Sequence, residues 1–141
     1  MFESAGLEVL EPSESLRLLS GARIGRIIFT DQALPAIQPV NFLLDGDAVL
    51  LRTTSGSKLD AAARNAIVAF EVDDIDCEFQ HGWSVTVIGH AELVTDPVEL
   101  GRLKTLPLHA WAPGEQSHFV RVQMEIIQGR RIAPPSARAA S

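Results

Sequence analysis

A chain of 141 residues with 46% hydrophobic and 21% charged residues has the length and composition of one globular domain, which excludes disorder as its main state and allows a core without disulfide staples. The single cysteine, Cys77, cannot form an intrachain bridge and points to a reducing compartment. Twelve Lys and Arg against eighteen Asp and Glu leave a net charge of −6, which argues against nucleic acid as a partner and requires any anion site to be local.

The first predicted element is a short helix from Ser13 to Leu19, with Ser13 as N-cap, Leu16, Leu18 and Leu19 as its apolar side and Gly21 as its stop. Arg26 to Thr30, Ala36 to Leu44 and Ala48 to Thr53 follow as a three-stranded meander. Its turns are Asp31-Gln32-Ala33 and Asp45-Gly46-Asp47, the second with residues that tolerate positive φ. Thr54-Ser55-Gly56 breaks that pattern, and Ser57 to Asn65 reads as a short Ala-rich helix. A fourth strand is expected over Ile67 to Val72 and a long fifth over Trp83 to Val94, where Val85, Val87, Gly89, Ala91 and Leu93 share a face. Gly89 in mid-strand marks a bulge, a bend or a place where something packs on bare backbone. Asp96 caps a helix that starts at Pro97 and runs to about Leu106. Phe119 to Ile127 alternates as a sixth strand with Val120, Val122, Met124 and Ile126 on one side.

Six antiparallel strands with short helices between them predict a mainly β fold, a small six-stranded split β-barrel with Greek-key-like connections and flanking α-helices. One domain is expected over residues 1–132, followed by a flexible tail over 133–141 that has no apolar face to bury. No apolar run approaches the roughly 20 residues of a bilayer span, and Met1 to Leu10 carries acids where a signal peptide carries bases. The expectation is a cytoplasmic protein without a membrane partner.

His81, His90, His109 and His118 fall at no metal-ligand spacing, and no hydrolase elbow, phosphate loop or dinucleotide fingerprint is present. Tyrosine is absent, which leaves histidines, acids or a cofactor to move protons. The informative stretch runs from Pro39-Val40-Asn41-Phe42 to Leu51-Arg52-Thr53-Thr54-Ser55-Gly56-Ser57-Lys58, a strand end beside a glycine-containing loop that opens a helix. Two cations, several hydroxyls and unpaired helix amides suit a phosphate monoester. An ordinary capped turn with solvated bases has the same residues. Trp83 and Trp111 stand beside loops, suited to stacking on a planar ring or to plain burial. Asn41 fits either a ligand's amide edge or a strand end.

In this order and spacing, Gly25-Arg26-Ile27, Pro39 to Phe42, Leu51-Arg52-Thr53 with Gly56-Ser57-Lys58, Gly82-Trp83-Ser84-Val85 ending in Gly89-His90-Ala91, and Trp111-Ala112-Pro113-Gly114 before His118-Phe119-Val120-Arg121 resemble the pyridoxamine 5′-phosphate oxidase-like family of flavin-binding split barrels. The resemblance spans about Ser13 to Ile132 and implies a homodimer with two cofactor sites at its interface. FMN is the default ligand it implies, with deazaflavin or haem in other relatives. Arg52, Thr53, Ser57 and Lys58 would then hold the phosphate, Pro39, Val40 and Asn41 would line the ring, and Trp83, Ser84 and Trp111 would approach from the partner or an overlying loop. The C-terminal segment that binds substrate phosphate in the longer pyridoxamine phosphate oxidases has no counterpart after Gly129-Arg130-Arg131-Ile132. The resemblance therefore implies a flavin-dependent oxidoreductase of another small-molecule substrate. A non-catalytic flavin, deazaflavin or haem binder is the alternative, with His90, His109 and His118 as candidate axial ligands, and a cofactor-free interaction module is a third.

Overall fold

Strands with one apolar face can hide it by closing on themselves, and six strands of this chain do so. The structure, a computed structural model, describes residues 7–108 and 117–132; the predicted tail and Trp111 lie outside the described residues. Eight strands and three helices follow in the order β1 (Leu7–Leu10), α1 (Pro12–Ser20), β2 (Ile24–Asp31), β3 (Leu34–Asp45), β4 (Ala48–Thr54), α2 (Lys58–Ala62), β5 (Ala66–Asp76), β6 (His81–Leu93), α3 (Pro97–Leu103), β7 (Ser117–Gln123) and β8 (Ile126–Ile132). The sheet order is β1-β8-β6-β5-β2-β3-β4-β7, and a further β6–β7 pairing closes the six strands from β6 round to β7 into a ring. Every pairing is antiparallel.

Two strands lie outside that ring and were not expected. The predicted sixth strand over Phe119 to Ile127 is in fact two, β7 and β8, broken at Met124 and Glu125. The Met124 amide donates to the Asp47 carbonyl, and His90 bonds to the Glu125 carboxylate through its backbone amide and its Nδ1. These ties hold the chain in a kink that shifts the strand's phase, so Val120 and Val122 are buried, Ile127 packs against the core and Ile126 faces out. β6 spans the break, pairing with β8 over Gly82–Ile88 and with β7 over Ala91–Leu93.

Inside the ring lie Ile27, Phe29, Val40, Phe42, Val49, Leu51, Val68, Phe70, Val85, Val87, Val120 and Val122, all below 6% exposed. Phe42 and Phe70 meet edge to face with centroids 4.8 Å apart. α2 closes one end with Leu59 and Ala63. A second cluster of Leu50, Leu103, Leu108 and Phe119 sits outside β4 beneath α3, so β4 is buried on both faces.

The helix starts follow their caps. α1 begins one residue before the predicted Ser13, because Pro12, with its fixed φ, takes the first turn and Glu11 takes the cap position. Asp96 caps α3 as expected, accepting from the Glu99 amide at 3.3 Å, and the helix ends at Leu103 rather than Leu106. α2 is shorter than predicted, with Ser57 as its cap and Asn65 beyond it at a φ of 59°. Among the described residues no helix is long and apolar enough to cross a membrane.

Candidate functional site

β3 and β4 pair from Asp45 and Ala48 only as far as Phe42 and Leu51. Beyond that point β3 continues with β2, where Asn41 pairs with Ile24, and β4 continues with β7 to Thr54 and Ser117. The strands part at Asn41 and Arg52, and a cleft of about 580 Å³ opens beside Asn41, walled by the turn Gly21-Ala22-Arg23 and by Pro107 and Leu108. That volume is in the range of small-molecule sites.

Arg52 is tied to this cleft through Leu108, one of its walls. Its Nη1 donates to the Leu108 carbonyl at 3.0 Å, its Nε and Nη2 reach the Ser117 Oγ at 3.2 and 2.8 Å, and its guanidinium lies 4.6 Å over the Phe119 ring. Thr53, the next residue, projects to the opposite face because successive strand residues alternate. Its hydroxyl is 2.9 Å from that of Ser57, and Ser57 also accepts from the Asp60 amide. Asp60 is 2% exposed. One carboxylate oxygen accepts from the Gly56 amide at 3.0 Å and the other lies 2.6 Å from Nδ1 of His118, while Arg64 stands 3.7 Å away.

The four predicted phosphate residues thus divide into an outer position, Arg52, and an inner-rim group of Thr53 and Ser57. Lys58 extends into solvent with its Nζ 3.7 Å from Asp31 at the end of β2, its side chain 81% exposed. With only five residues in α2, the helix dipole is small, so cations and hydroxyls must carry an anion's charge. Asp60 and His118 are additions to the site that sequence reasoning did not pair. Ser57-Lys58-Leu59-Asp60 has the Ser-x-x-acid spacing of a capping box, the one signal that could have singled out Asp60.

Of the predicted ring residues, Pro39 and Asn41 face outward while the Val40 side chain is buried in the barrel, so Val40 has only its backbone to offer a ligand. Ser84 faces outward between Asp73 and Arg130. Trp83 turns the other way, half-buried at the rim in a second cleft of about 370 Å³ with Ile24, Val72 and Asp73. The two clefts share Gly21 and Ala22. His109 and Trp111 lie outside the described residues, and among the described residues no cluster could hold a metal ion.

Among the described residues, one acid of the outer face is pushed upward. Burial, then the neighbouring Asp73, push the Glu71 carboxyl up from 4.5 to about 7, against the opposing pull of Arg26. The folded chain therefore binds this proton more tightly than the unfolded one, so stability falls as pH rises from about 4.5 to about 7. Glu71→Gln should flatten that part of a denaturation-versus-pH profile.

A six-strand antiparallel ring with short helices and a cleft where two strands part defines a split-barrel protein. The model of the pyridoxamine 5′-phosphate oxidase family matches residues 11–131, and the chain belongs to that family. An uncharacterized protein of Mycobacterium tuberculosis is 39% identical over 132 residues, covering 90% of this chain and 86% of its own. Among solved structures, a pyridoxamine 5′-phosphate oxidase candidate from Corynebacterium glutamicum superposes with a TM-score of 0.79 at 32% identity, covering 90% of this chain and 98% of its own. An FAD-binding protein from Mycobacterium smegmatis superposes with a TM-score of 0.74 at 38% identity, covering 88% and 96%.

Proposed function

We propose that the chain binds a flavin, FMN in the first instance, as a homodimer and acts as an oxidoreductase on a small-molecule substrate. The observation that supports the reading is the parting of β3 and β4 at Asn41 and Arg52, which leaves Asn41 on a cleft whose Leu108 wall is bonded by Arg52, with the Thr53–Ser57 hydroxyl pair on the other face of β4. Asn41 and Ser84, with Pro39, supply contacts to a ring edge from the outer face. Arg52, Thr53, Ser57 and Lys58 supply charge and hydrogen bonds for a phosphate, with the exposed Lys58 free to turn from its long contact with Asp31. The FAD-binding protein of similar fold supports the same ligand class. A bound flavin supplies hydride and electron transfer, while the chain orients it and tunes it through hydrogen bonds.

The homodimer is supported by a row of apolar residues on the outer face. Strand register sets Ile37 beside Ile28, Ile28 beside Ala69, Ala69 beside Ile88 and Ile88 beside Ile126. Ile37 is 66% exposed, and Ile67, next to this row, 61%. Pro39, Asn41 and Ser84 project from the same face, so a partner seated on the row adjoins the cleft. The proposed dimer works in the cytoplasm.

The test is a visible spectrum of the purified protein after separate loading with FMN, deazaflavin or haemin and dialysis, followed by reduction with a nicotinamide and re-oxidation by candidate acceptors such as nitro compounds. Retained flavin that cycles supports the reading. Flavin that binds but accepts no electrons leaves a carrier or sensor, and a Soret band in its place moves the reading to haem. FMN at a hundredfold excess over its Kd should stabilise the protein by about 2.7 kcal/mol. Arg52→Ala combined with Lys58→Ala should remove most of that shift in a thermal melt, and an undiminished shift excludes these two as the phosphate's cations.

A further inference from the structure

We propose that His118, set in place by the buried carboxylate of Asp60, is a further phosphate-binding residue at the barrel rim and makes the site selective for phosphorylated ligands. The inference rests on the phosphate reading above and adds to it a residue, and a selectivity, that the reading does not contain.

Its starting point is the burial of Asp60. A carboxylate taken out of water is costly unless its oxygens are paired, and those of Asp60 are paired with the Gly56 amide and the His118 ring. A carboxylate that accepts a backbone amide at a helix start does not require that burial, because Asp96 does so at α3 from an exposed position in the same chain. What burial achieves is a fixed imidazole. Nδ1 of His118 is committed to Asp60, which leaves Nε2 for a ligand, and the His118 side chain is 38% exposed against 3% for Asp60.

The direction of that exposure follows from the register. His118 pairs directly with Thr53 across β7 and β4, and paired residues share a face with Cβ atoms about 5 Å apart. The imidazole therefore stands next to the hydroxyl pair of Thr53 and Ser57. Charged groups in this neighbourhood are Asp60 and Lys58 of α2, Arg64 just after it, Asp31 opposite Lys58, and Arg52 on the other face of β4. A ring held between a carboxylate and a phosphate donates from both nitrogens, so His118 serves as a cation-competent donor on the inner side of a site whose arginine lies on the outer side. A ligand with no phosphate makes none of these contacts.

The experiment compares FMN with riboflavin, the same ring without phosphate, by fluorescence titration of the intact chain and of His118→Leu and His118→Gln. Wild type should prefer FMN at least tenfold. His118→Leu should weaken FMN about tenfold and leave riboflavin unchanged, and His118→Gln, which keeps an N–H donor, should recover part of the preference. The unchanged riboflavin affinity shows that the variant is folded. If Leu is not tolerated, the Gln variant is read alone against wild type, and an FMN preference that is not reduced overturns the proposal. A wild type that prefers FMN with a His118→Leu variant that prefers it equally overturns this inference and spares the phosphate reading. Equal wild-type affinity for the two ligands, or affinity for neither, overturns the phosphate reading and this inference with it.

Discussion

Gly89→Ala is expected to cost the fold at least about 3 kcal/mol, a large part of the 5–15 kcal/mol that holds a domain of this size. A Cβ at this position would lie inside van der Waals contact of the Gln123 carbonyl oxygen and 2.9 Å from its carbon. Both are backbone atoms of the kink between β7 and β8 and cannot rotate away. The kink is pinned from the far side by the Met124 amide on Asp47, so relief requires β6, which also grips the kink through His90 and Glu125, to move away from β7, the pairing that closes the ring. Gly101→Ala in α3 is the matched comparison, since a Cβ there meets nothing within 4 Å and alanine gains up to about 1 kcal/mol over glycine in a helix. Chemical denaturation of the two variants beside wild type should therefore move the midpoint in opposite directions. Equal midpoints would mean that the β6 crossover is not tightly packed.

Gly89 reads from the sequence as a bulge, a bend or a place of packing on bare backbone, with the choice among them left open, and the reason is general to this fold. Apolar patterning is a local signal, and it located all six strands of the ring, β4 by a continuous apolar run buried on both faces and the others by one buried face each. It could not locate β8, where Gln128, Arg130 and Arg131 mask the pattern. The doublet Ile126-Ile127 also let an unbroken alternation run through Glu125, where the chain in fact changes phase. The site was legible at the level of residue type. Arg52 and Thr53, Trp83 and Ser84 were read as joint members of one cradle, yet neighbours in a strand face opposite sides, and that division follows from period two alone. The Asp60–His118 pair was not legible, because its members stand 58 positions apart and are brought together only by the β4–β7 register. Its one trace was the Ser57 to Asp60 spacing.

Ile37→Glu combined with Ile67→Glu is expected to turn a dimer into a monomer and to empty it of flavin, with no loss of fold in the single chain. Both side chains are mostly exposed in one copy, and surface substitutions of this kind shift stability by no more than about 0.5 kcal/mol. Any large effect must therefore come from a second copy. Apposed faces would bury four new carboxylates without partners, at a cost of several kcal/mol, enough to weaken association more than a hundredfold. The natural charges of this face do not offset them, because Arg26 is already shared between Glu71 and Asp73 at 3.4 and 3.2 Å. Sedimentation equilibrium across micromolar concentrations reads the association, and far-ultraviolet circular dichroism reads the fold. Flavin retained by a folded monomer would place the ring contacts within one chain, on Asn41 and the turn at Gly21 to Arg23. A variant that stays dimeric would put the interface elsewhere than on the isoleucine row.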